Sequence, residues 1–125
     1  MSDLKRDIVK YIRDASKNKY PKKVLCAICS TTEQLELHHY NTLSLLLARD
    51  LKGKPAVDSV DKVMAYRDDF INVYSKEIFI DVVCLCKNCH NNKLHKVYGK
   101  VPALSTACKQ PDWVEKMRTK HNALA

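Results

Sequence analysis

Four of the six cysteines stand in two Cys-x-x-Cys pairs, a spacing that is typical of metal binding. The first pair is Cys26 and Cys29, and the second is Cys86 and Cys89. Each pair can present two thiolates from one tight turn, and two pairs complete the tetrahedral shell of structural Zn²⁺. The 56 residues between the pairs exceed the roughly 15–20 of a compact zinc ribbon. The pairs therefore predict a zinc clamp that joins two ends of a larger substructure.

Three histidines lie inside or beside that substructure. His38 and His39 are neighbours, and His90 directly follows the second cysteine pair. Residues 35–40 alternate as a short strand should, and a strand turns successive side chains to opposite faces. His38 and His39 should therefore not share one metal ion. One of them would hold an ion on a phosphate, and the other would act as a general base toward the attacking nucleophile.

The rest of the sequence predicts the elements that must position these side chains. Apolar residues at helical spacing indicate a basic amphipathic helix over residues 3–18 and a helical insert over residues 42–77. The β-branched and aromatic run over residues 78–85 predicts a second strand that leads into the second cysteine pair. A helix over about residues 88–99, closed by a glycine, should follow, and a last helix is expected over residues 111–122.

Composition places the chain among globular proteins with a polyanionic partner. With 125 residues, of which 46% are hydrophobic and 29% charged, it is expected to form one domain over residues 1–125. The net charge of +8 suits nucleic acid or an anionic membrane. The positive charge is concentrated in residues 1–25 and 82–125, so it flanks the histidines and avoids the insert.

The expected location is cytoplasmic. No apolar run has the length of a membrane span, and the first residues lack the apolar stretch of a signal peptide. In that reducing compartment the cysteines indicate metal binding rather than disulfides. Cys84 and Cys108, which lie outside the pairs, are expected to be buried free thiols.

Taken together, the motifs resemble the HNH, or ββα-metal, endonuclease family. The resemblance covers about residues 24–99 and rests on Cys-x-x-Cys, then Leu-Glu-Leu-His-His, then Asp-Val-Val-Cys-Leu-Cys-x-x-Cys-His-Asn-Asn-Lys. The run Leu-His-Lys-Val-Tyr-Gly over residues 94–99 is similar to the tail of phage-type members. The resemblance implies an α+β fold with a ββα-metal core and a structural zinc, to which an N-terminal helix, a helical insert and a C-terminal helix are added.

The resemblance also implies a role for each site residue. His38 becomes the first ligand of a catalytic divalent ion, His90 becomes the second, and His39 becomes the general base. The four paired cysteines become the structural zinc set. Asp81 falls where the family usually has a central asparagine that orients the base. This position departs from the family because aspartate accepts hydrogen bonds but does not donate them, and the role of an ordinary turn residue stays open for it.

A second choice of metal ligands stays open on the helix. His90 and His95 are five residues apart, about 140° around an α-helix, so only one of them should face the ion. His95 is expected on the helix surface, although Asn91 with His95 has the four-residue spacing and is the alternative pair. Two imidazoles accept Mn²⁺, Ni²⁺, Co²⁺ or Zn²⁺ more readily than Mg²⁺, which also stays open.

The resulting interpretation is a metal-dependent endonuclease that hydrolyses phosphodiester bonds in DNA, with RNA less favoured. The resemblance also fits a phage-encoded enzyme that acts in the host cell. Positive charge on Lys87, Lys93 and Lys96 suits the phosphate backbone, and no base-reading motif is evident. Two alternatives stay open: a non-catalytic, zinc-stabilised DNA-binding module, and a protein-interaction factor that uses the helical insert. A homodimer, or a partner protein bound through that insert, belongs with these expectations.

Overall fold

The computed structural model describes residues 7–124, and their fold is α+β, as the sequence predicts. A two-stranded sheet is combined with helices, several of which lie between the strands in the chain. The elements are α1 (Ile8–Ser16), β1 (Leu35–His39), α2 (Leu43–Leu51), α3 (Val60–Val73), α4 (Ser75–Phe79), β2 (Val82–Cys86), a π-helical segment (Asn88–Leu94), α5 (His95–Tyr98) and α6 (Gln110–Leu124). Short 3₁₀ turns lie at Lys17–Lys19 and Leu104–Thr106.

The two strands form an antiparallel pair that carries different residue types at its two ends. Leu35 lies opposite Cys86 at one end, and His39 lies opposite Val82 at the other. The loop that holds the first cysteine pair is attached to the middle of β2, where the Ala27 amide donates to the carbonyl of Cys84 at 2.9 Å, and Cys86 of the second pair is the last residue of that strand. The register therefore places the cysteines at one end of the sheet and the adjacent histidines at the other.

The second strand begins later than its β-branched run predicts. Residues 78 and 79 end helix α4, and the strand begins at Val82. The amides of Ile80 and Asp81 both donate to the carbonyl of Lys76, at 2.9 and 2.8 Å, which closes the helix. Ile78 is fully buried among the helices. Burial in the helical core has overridden the intrinsic β preference of this run.

The helices between the strands pack with α1 into one apolar core. Its buried residues are Ile12, Leu43, Leu46, Leu47, Phe70 and Ile78. The predicted helical character of residues 42–77 is present as α2, α3 and the start of α4. The predicted helix over residues 3–18 is present as α1 with the 3₁₀ turn after it, and its residues 3–6 lie outside the described residues.

A second core lies beside the sheet and includes the paired cysteines. Its buried members are Cys26, Ile28, Tyr40, Leu85, Cys86, Cys89, Leu94 and Val114. The last of these belongs to α6, whose bounds differ by only one or two residues from the prediction of 111–122. Gly99, with φ of 87°, ends the preceding helix as predicted.

The two cysteines outside the pairs are less buried than the sequence predicts. Cys84 is half-buried on β2, and Cys108 is exposed. The prediction was wrong for Cys108 because this residue lies in the turn before α6 rather than on the apolar side of an element.

Candidate active site and metal centres

Three histidine rings converge on one point beside the sheet. His38 extends from β1, His90 from the π-helical segment and His95 from the start of α5. Nδ1 of His38 lies 3.0 Å from Nε2 of His90, and Nε2 of His90 lies 3.0 Å from Nε2 of His95. The three inner nitrogens all lie within 4.8 Å of one another, so they could be ligands of one ion.

The helix brings His90 and His95 to one side, which corrects the prediction that only one of them can face the ion. Residues Asn88–Leu94 are π-helical, and the amide of His95 donates to the carbonyl of His90. Such an i+5 hydrogen bond places residues five apart nearly above one another, and π-helical turns are frequent at functional sites. Asn91, the predicted alternative partner of His95, is instead exposed, and its amide lies 3.5 Å from Glu36 Oε1.

Each ring nitrogen that points away from the cluster has a hydrogen-bond acceptor. The pairs are His38 Nε2 with Gln110 Oε1 at 2.7 Å, His90 Nδ1 with Glu36 Oε1 at 2.9 Å, and His95 Nδ1 with the Gly99 carbonyl at 2.8 Å. A neutral imidazole has one N–H, and these acceptors assign it to the outer nitrogen. The inner nitrogens then direct three lone pairs to a common point, which is the arrangement of metal-binding histidines.

Gln110 is a functional residue that the sequence interpretation missed. Its side chain is fully buried, and its amide nitrogen donates to the Tyr40 carbonyl at 3.2 Å and to the Thr106 hydroxyl at 2.9 Å. That hydroxyl already donates to the Ala103 carbonyl at 2.6 Å, so toward Gln110 it acts as an acceptor. The amide orientation is thereby determined, and its oxygen faces His38. A glutamine 72 residues from its histidine carries no local signal of this role.

Glu36, the acceptor for His90, could have been found from the sequence. It lies two residues before His38 on β1, and alternate residues of a strand share a face. Its carboxylate is therefore on the side of the sheet where the histidines meet. A carboxylate that accepts from the outer nitrogen of a metal-binding histidine fixes the orientation of that ring and raises its basicity.

The His38 ring is held in the form that binds metal. Only 4% of His38 is exposed. Burial lowers the pKa of His38 to about 4, although the hydrogen bond with Gln110 opposes this shift. Neutral imidazole is the metal-binding form. Two nitrogens about 2.1 Å from one ion, at about a right angle, are about 3.0 Å apart, which agrees with the 3.0 Å separations found here. The cluster therefore fits a divalent ion.

His39 lies on the opposite face of β1, as strand alternation predicts. Its ring packs edge to face against Tyr20, with 5.2 Å between the ring centres. Its Nε2 donates to the Ile78 carbonyl at 3.1 Å, which leaves the lone pair on Nδ1. Burial lowers the pKa of His39 to about 4; the bond to Ile78 opposes the shift and the charge of Arg13 adds to it. The ring is therefore neutral at neutral pH and can accept a proton.

The side chain of Asp81 takes a different partner from the one the sequence predicts. Its carboxylate forms an ion pair with Lys76 at 2.9 Å, while the ring nitrogen that it was expected to orient bonds to Ile78. The backbone of Asp81 does contact the strand, because its carbonyl accepts from the Tyr40 amide at 3.1 Å. This bond extends the antiparallel pair of β1 and β2, which we call the hairpin, one residue beyond His39.

The four paired cysteines form a second cluster, at the other end of the sheet. The sulfurs of Cys26, Cys29, Cys86 and Cys89 all lie within 4.8 Å of one another. The Sγ atoms of Cys29 and Cys86 are 3.7 Å apart. Two sulfurs about 2.3 Å from a tetrahedral zinc lie about 3.8 Å apart. The spacing and the donor type therefore fit Zn²⁺, as the sequence predicts.

Backbone hydrogen bonds favour a thiolate at Cys26, whereas burial and the neighbouring sulfurs raise the pKa of Cys29 and Cys89. The Ser30 amide donates to the Cys26 carbonyl at 2.9 Å, and Ser30 has φ of 63°, so the chain turns tightly after the first pair. The Cys89 amide donates to the sulfur of Cys86 at 3.4 Å. Burial raises the pKa of Cys26, but several backbone hydrogen bonds outweigh it and lower that pKa to about 7. A thiol so placed is readily deprotonated for metal binding.

The three lysines predicted to contact phosphate lie on the chain segment that carries His90 and His95. Lys87 and Lys96 are exposed and Lys93 is half-buried. All three belong to the segment that also carries His90 and His95. The segment that carries His90 and His95 therefore also carries three positive charges.

Residues 1–123 match the nicking endonuclease family described for phage T5, which is nearly the whole of the 125-residue chain. The chain belongs to the phage T5 nicking endonuclease family. This membership makes the protein a DNA-cleaving nuclease, in agreement with the class predicted from its motifs. No solved structure is significantly similar to this nicking endonuclease. Within residues 7–124 the nuclease has no helix that is both long and apolar enough to cross a membrane.

Proposed function

We propose that the protein nicks DNA by metal-dependent hydrolysis, as a nuclease of the HNH type. The supporting observation is that the inner nitrogens of His38, His90 and His95 face one another while each outer nitrogen has an acceptor. Lone pairs so arranged repel one another unless a cation lies between them. The three histidines also come from a β-hairpin and the helix after it, which is the element order that a ββα-metal core requires.

His39 is the proposed general base. Its Nδ1 accepts a proton from a water molecule, whose oxygen forms a new bond to the scissile phosphorus. The bond from phosphorus to the 3′-oxygen breaks, and that oxygen takes a proton from solvent. The proton on His39 then passes to solvent. The products are a 5′-phosphate and a 3′-hydroxyl.

The histidine cluster would hold the phosphate in place for this attack. A divalent ion there would draw negative charge from the phosphate and stabilise the leaving oxygen. Three imidazoles favour Mn²⁺, Ni²⁺, Co²⁺ or Zn²⁺ over Mg²⁺, which prefers oxygen ligands. Gln110 and Glu36 keep the rings of His38 and His90 in the orientation that the ion needs. The cysteine cluster would hold a structural zinc that fastens the hairpin to the helix.

We assign Asp81 to positioning rather than to proton transfer. Its backbone carbonyl holds Tyr40 and so closes the hairpin next to His39, whereas its carboxylate is occupied by Lys76. An Asp81→Asn substitution keeps the backbone bond and removes only the surface ion pair. We therefore expect this variant to retain most of the nicking activity, which makes it a matched control for changes to His39.

The decisive experiment compares wild type, His39→Ala and Asp81→Asn on supercoiled plasmid with Mg²⁺, Mn²⁺, Ni²⁺ or Co²⁺. Circular dichroism first establishes that all three are folded. Loss of a general base typically costs about 10²- to 10⁴-fold in rate, so His39→Ala should yield almost no open-circular DNA. Nicking at the wild-type rate by His39→Ala would refute the base assignment. Absence of nicking by wild type in every metal, with salt-sensitive DNA binding retained, would favour the non-catalytic module.

The proposed substrate contacts are electrostatic and involve the lysines on the histidine-bearing segment. Lys87, Lys93 and Lys96 would hold backbone phosphates, which positions DNA without reading its sequence. A single active site cuts one strand at a time, in accord with a nicking family. Action on DNA inside a phage-infected host cell is part of the same proposal. Assembly with a second copy or a partner through the insert stays a prediction.

A further inference from the structure

A cavity of about 440 Å³ lies against the face of β1 that carries His39. Its lining residues are Lys17, Tyr20, Pro21, Lys22, Lys23 and Leu37. Three of the six are exposed lysines, and none is acidic. Within residues 7–124, Lys17, Lys22 and Lys23 form no ion pair, whereas Lys54, Lys62 and Lys76 are each paired with an aspartate. The cavity, which we call the lysine cleft, therefore has uncompensated positive charge.

The lysine cleft borders the proposed base directly. Its Tyr20 ring packs against the ring of His39 at 5.2 Å. Its Leu37 lies two residues before His39 on the same strand, and alternate residues of a strand share a face. The cleft is therefore on the His39 side of β1, whereas His38 and its partners are on the other side.

The backbone holds the lysines of the cleft in a defined place. The 3₁₀ turn ends at Lys19, and Tyr20 adopts the extended conformation, with ψ of 147°, that a residue before proline favours. Pro21 restricts the chain further as it passes to Lys22 and Lys23. The walls thus combine an aromatic ring and apolar side chains with exposed ammonium groups. These surfaces complement a nucleic-acid strand, whose phosphates are anionic and whose sugars are partly apolar.

We propose that the lysine cleft binds backbone phosphates of the DNA strand that flank the scissile bond. This inference rests on the proposed nicking function. Lysine ammonium groups bind phosphate as point charges, and such contacts fix the register of a protein on DNA without reading bases. The cleft would hold the strand on the His39 side while the histidine cluster holds the reacting phosphate.

The test compares two triple variants that remove equal charge. In the cleft variant Lys17, Lys22 and Lys23 are each changed to Gln, and in the control variant Lys52, Lys116 and Lys120 are. Each triple variant has a net charge of +5 instead of +8. All six lysines are exposed, so both variants should fold. Binding to a fluorescein-labelled duplex is measured by anisotropy at several salt concentrations, with zinc-loaded protein and no other divalent ion.

The cleft variant should bind at least about tenfold more weakly than wild type at low salt. The slope of log K against log salt should fall by about 2.7, since each phosphate contact contributes about 0.9. The control variant should change the slope by less than about 1 and bind within about threefold of wild type. Equal losses in the two variants would overturn the inference, because general charge would then account for binding.

A nicking assay separates this inference from the proposed function. If wild type nicks plasmid and the cleft variant nicks at low DNA concentration as fast as the control, the cleft is refuted and the nuclease proposal stands. If wild type nicks nothing in any metal but the cleft variant still loses DNA affinity selectively, the nicking proposal fails and the cleft stands as a DNA-binding site.

Discussion

Replacement of Gln110 by leucine would test whether the histidine cluster is a metal site held by its outer hydrogen bonds. Leucine has a similar volume and cannot accept from His38 or donate to Tyr40. The fully buried position offers no water to replace those bonds. Each buried group left without a partner costs about 1–3 kcal/mol. The N–H of His38 and the carbonyl of Tyr40 would both lose their partner, which lowers the free energy of unfolding by roughly 2–6 kcal/mol. The His38 ring also loses the bond that assigns its N–H to Nε2.

The metal affinity should fall with that loss of orientation. Removal of an outer hydrogen-bond partner typically weakens metal binding about 10- to 100-fold, equivalent to about 1.4–2.7 kcal/mol. Calorimetric titration of Ni²⁺ into protein that already contains one equivalent of zinc measures this affinity. Gln110→Glu is the matched control, because it keeps an acceptor toward His38 while it loses the donor toward Tyr40.

Both Gln110 variants should therefore unfold at lower temperature, but only the leucine variant should lose Ni²⁺ affinity. Titrations are made well below both unfolding temperatures, so that stability does not enter the comparison. The reasoning would be refuted if folded Gln110→Leu bound Ni²⁺ as tightly as wild type. It would also fail if Gln110→Glu lost as much affinity as Gln110→Leu, since a general disturbance of packing would then explain both.

Three further predictions concern the ligands, the base and the zinc. His95→Ala should lower the Ni²⁺ affinity at least about tenfold, while Asn91→Ala should change it by less than about twofold. A larger loss in Asn91→Ala than in His95→Ala would favour Asn91 as the ligand and contradict the three-histidine cluster. The pKa of His39 is about 4 in the folded chain, against 6.5 for an ordinary histidine. Between these two pH values the unfolded chain binds more protons than the folded chain does. The free energy of unfolding therefore decreases as the pH falls through this range. From pH 7 to pH 5 the loss from this group is at most about 2 kcal/mol, and urea unfolding of His39→Gln should show a correspondingly smaller decrease than wild type. Cys86→Ser should release zinc and unfold the hairpin region, because structural zinc contributes directly to folding; a folded variant that retains zinc by elemental analysis would contradict this.

Much of the architecture could be predicted because its signals are local. Helical periodicity over residues 42–77 and the alternation of the short strand that ends in the histidines are both properties of neighbouring residues. The cysteine pairs could be predicted to meet because two Cys-x-x-Cys pairs have the ligand number and spacing of a structural zinc site. The limits of β2 could not be predicted, since Ile78 has a strong strand preference and yet is buried in a helical core.

The site was less predictable where distant residues decide it. Gln110 acts on His38 across 72 residues, and only the packing of α6 against the hairpin brings them together. Asp81 shows the opposite case. Its position in the motif predicted that its carboxylate orients His39, but in the folded chain that carboxylate is paired with Lys76. The position of Glu36 on the His38 face could have been predicted, because alternate residues of a strand share a face and neighbouring residues such as His38 and His39 do not.

The chemical groups available to the protein can be identified from the amino-acid sequence: paired thiolates, neighbouring imidazoles on a strand and an excess of positive charge. Which imidazoles meet depends on the packing of the folded chain. His90 and His95 are five residues apart, and in an α-helix they would face different directions. Cys89 and Leu94 have the same spacing and are both almost fully buried, which an α-helix could not easily achieve on one face. Packing of that pair into the core accompanies a π-helical turn, and the same turn aligns the two histidines with His38.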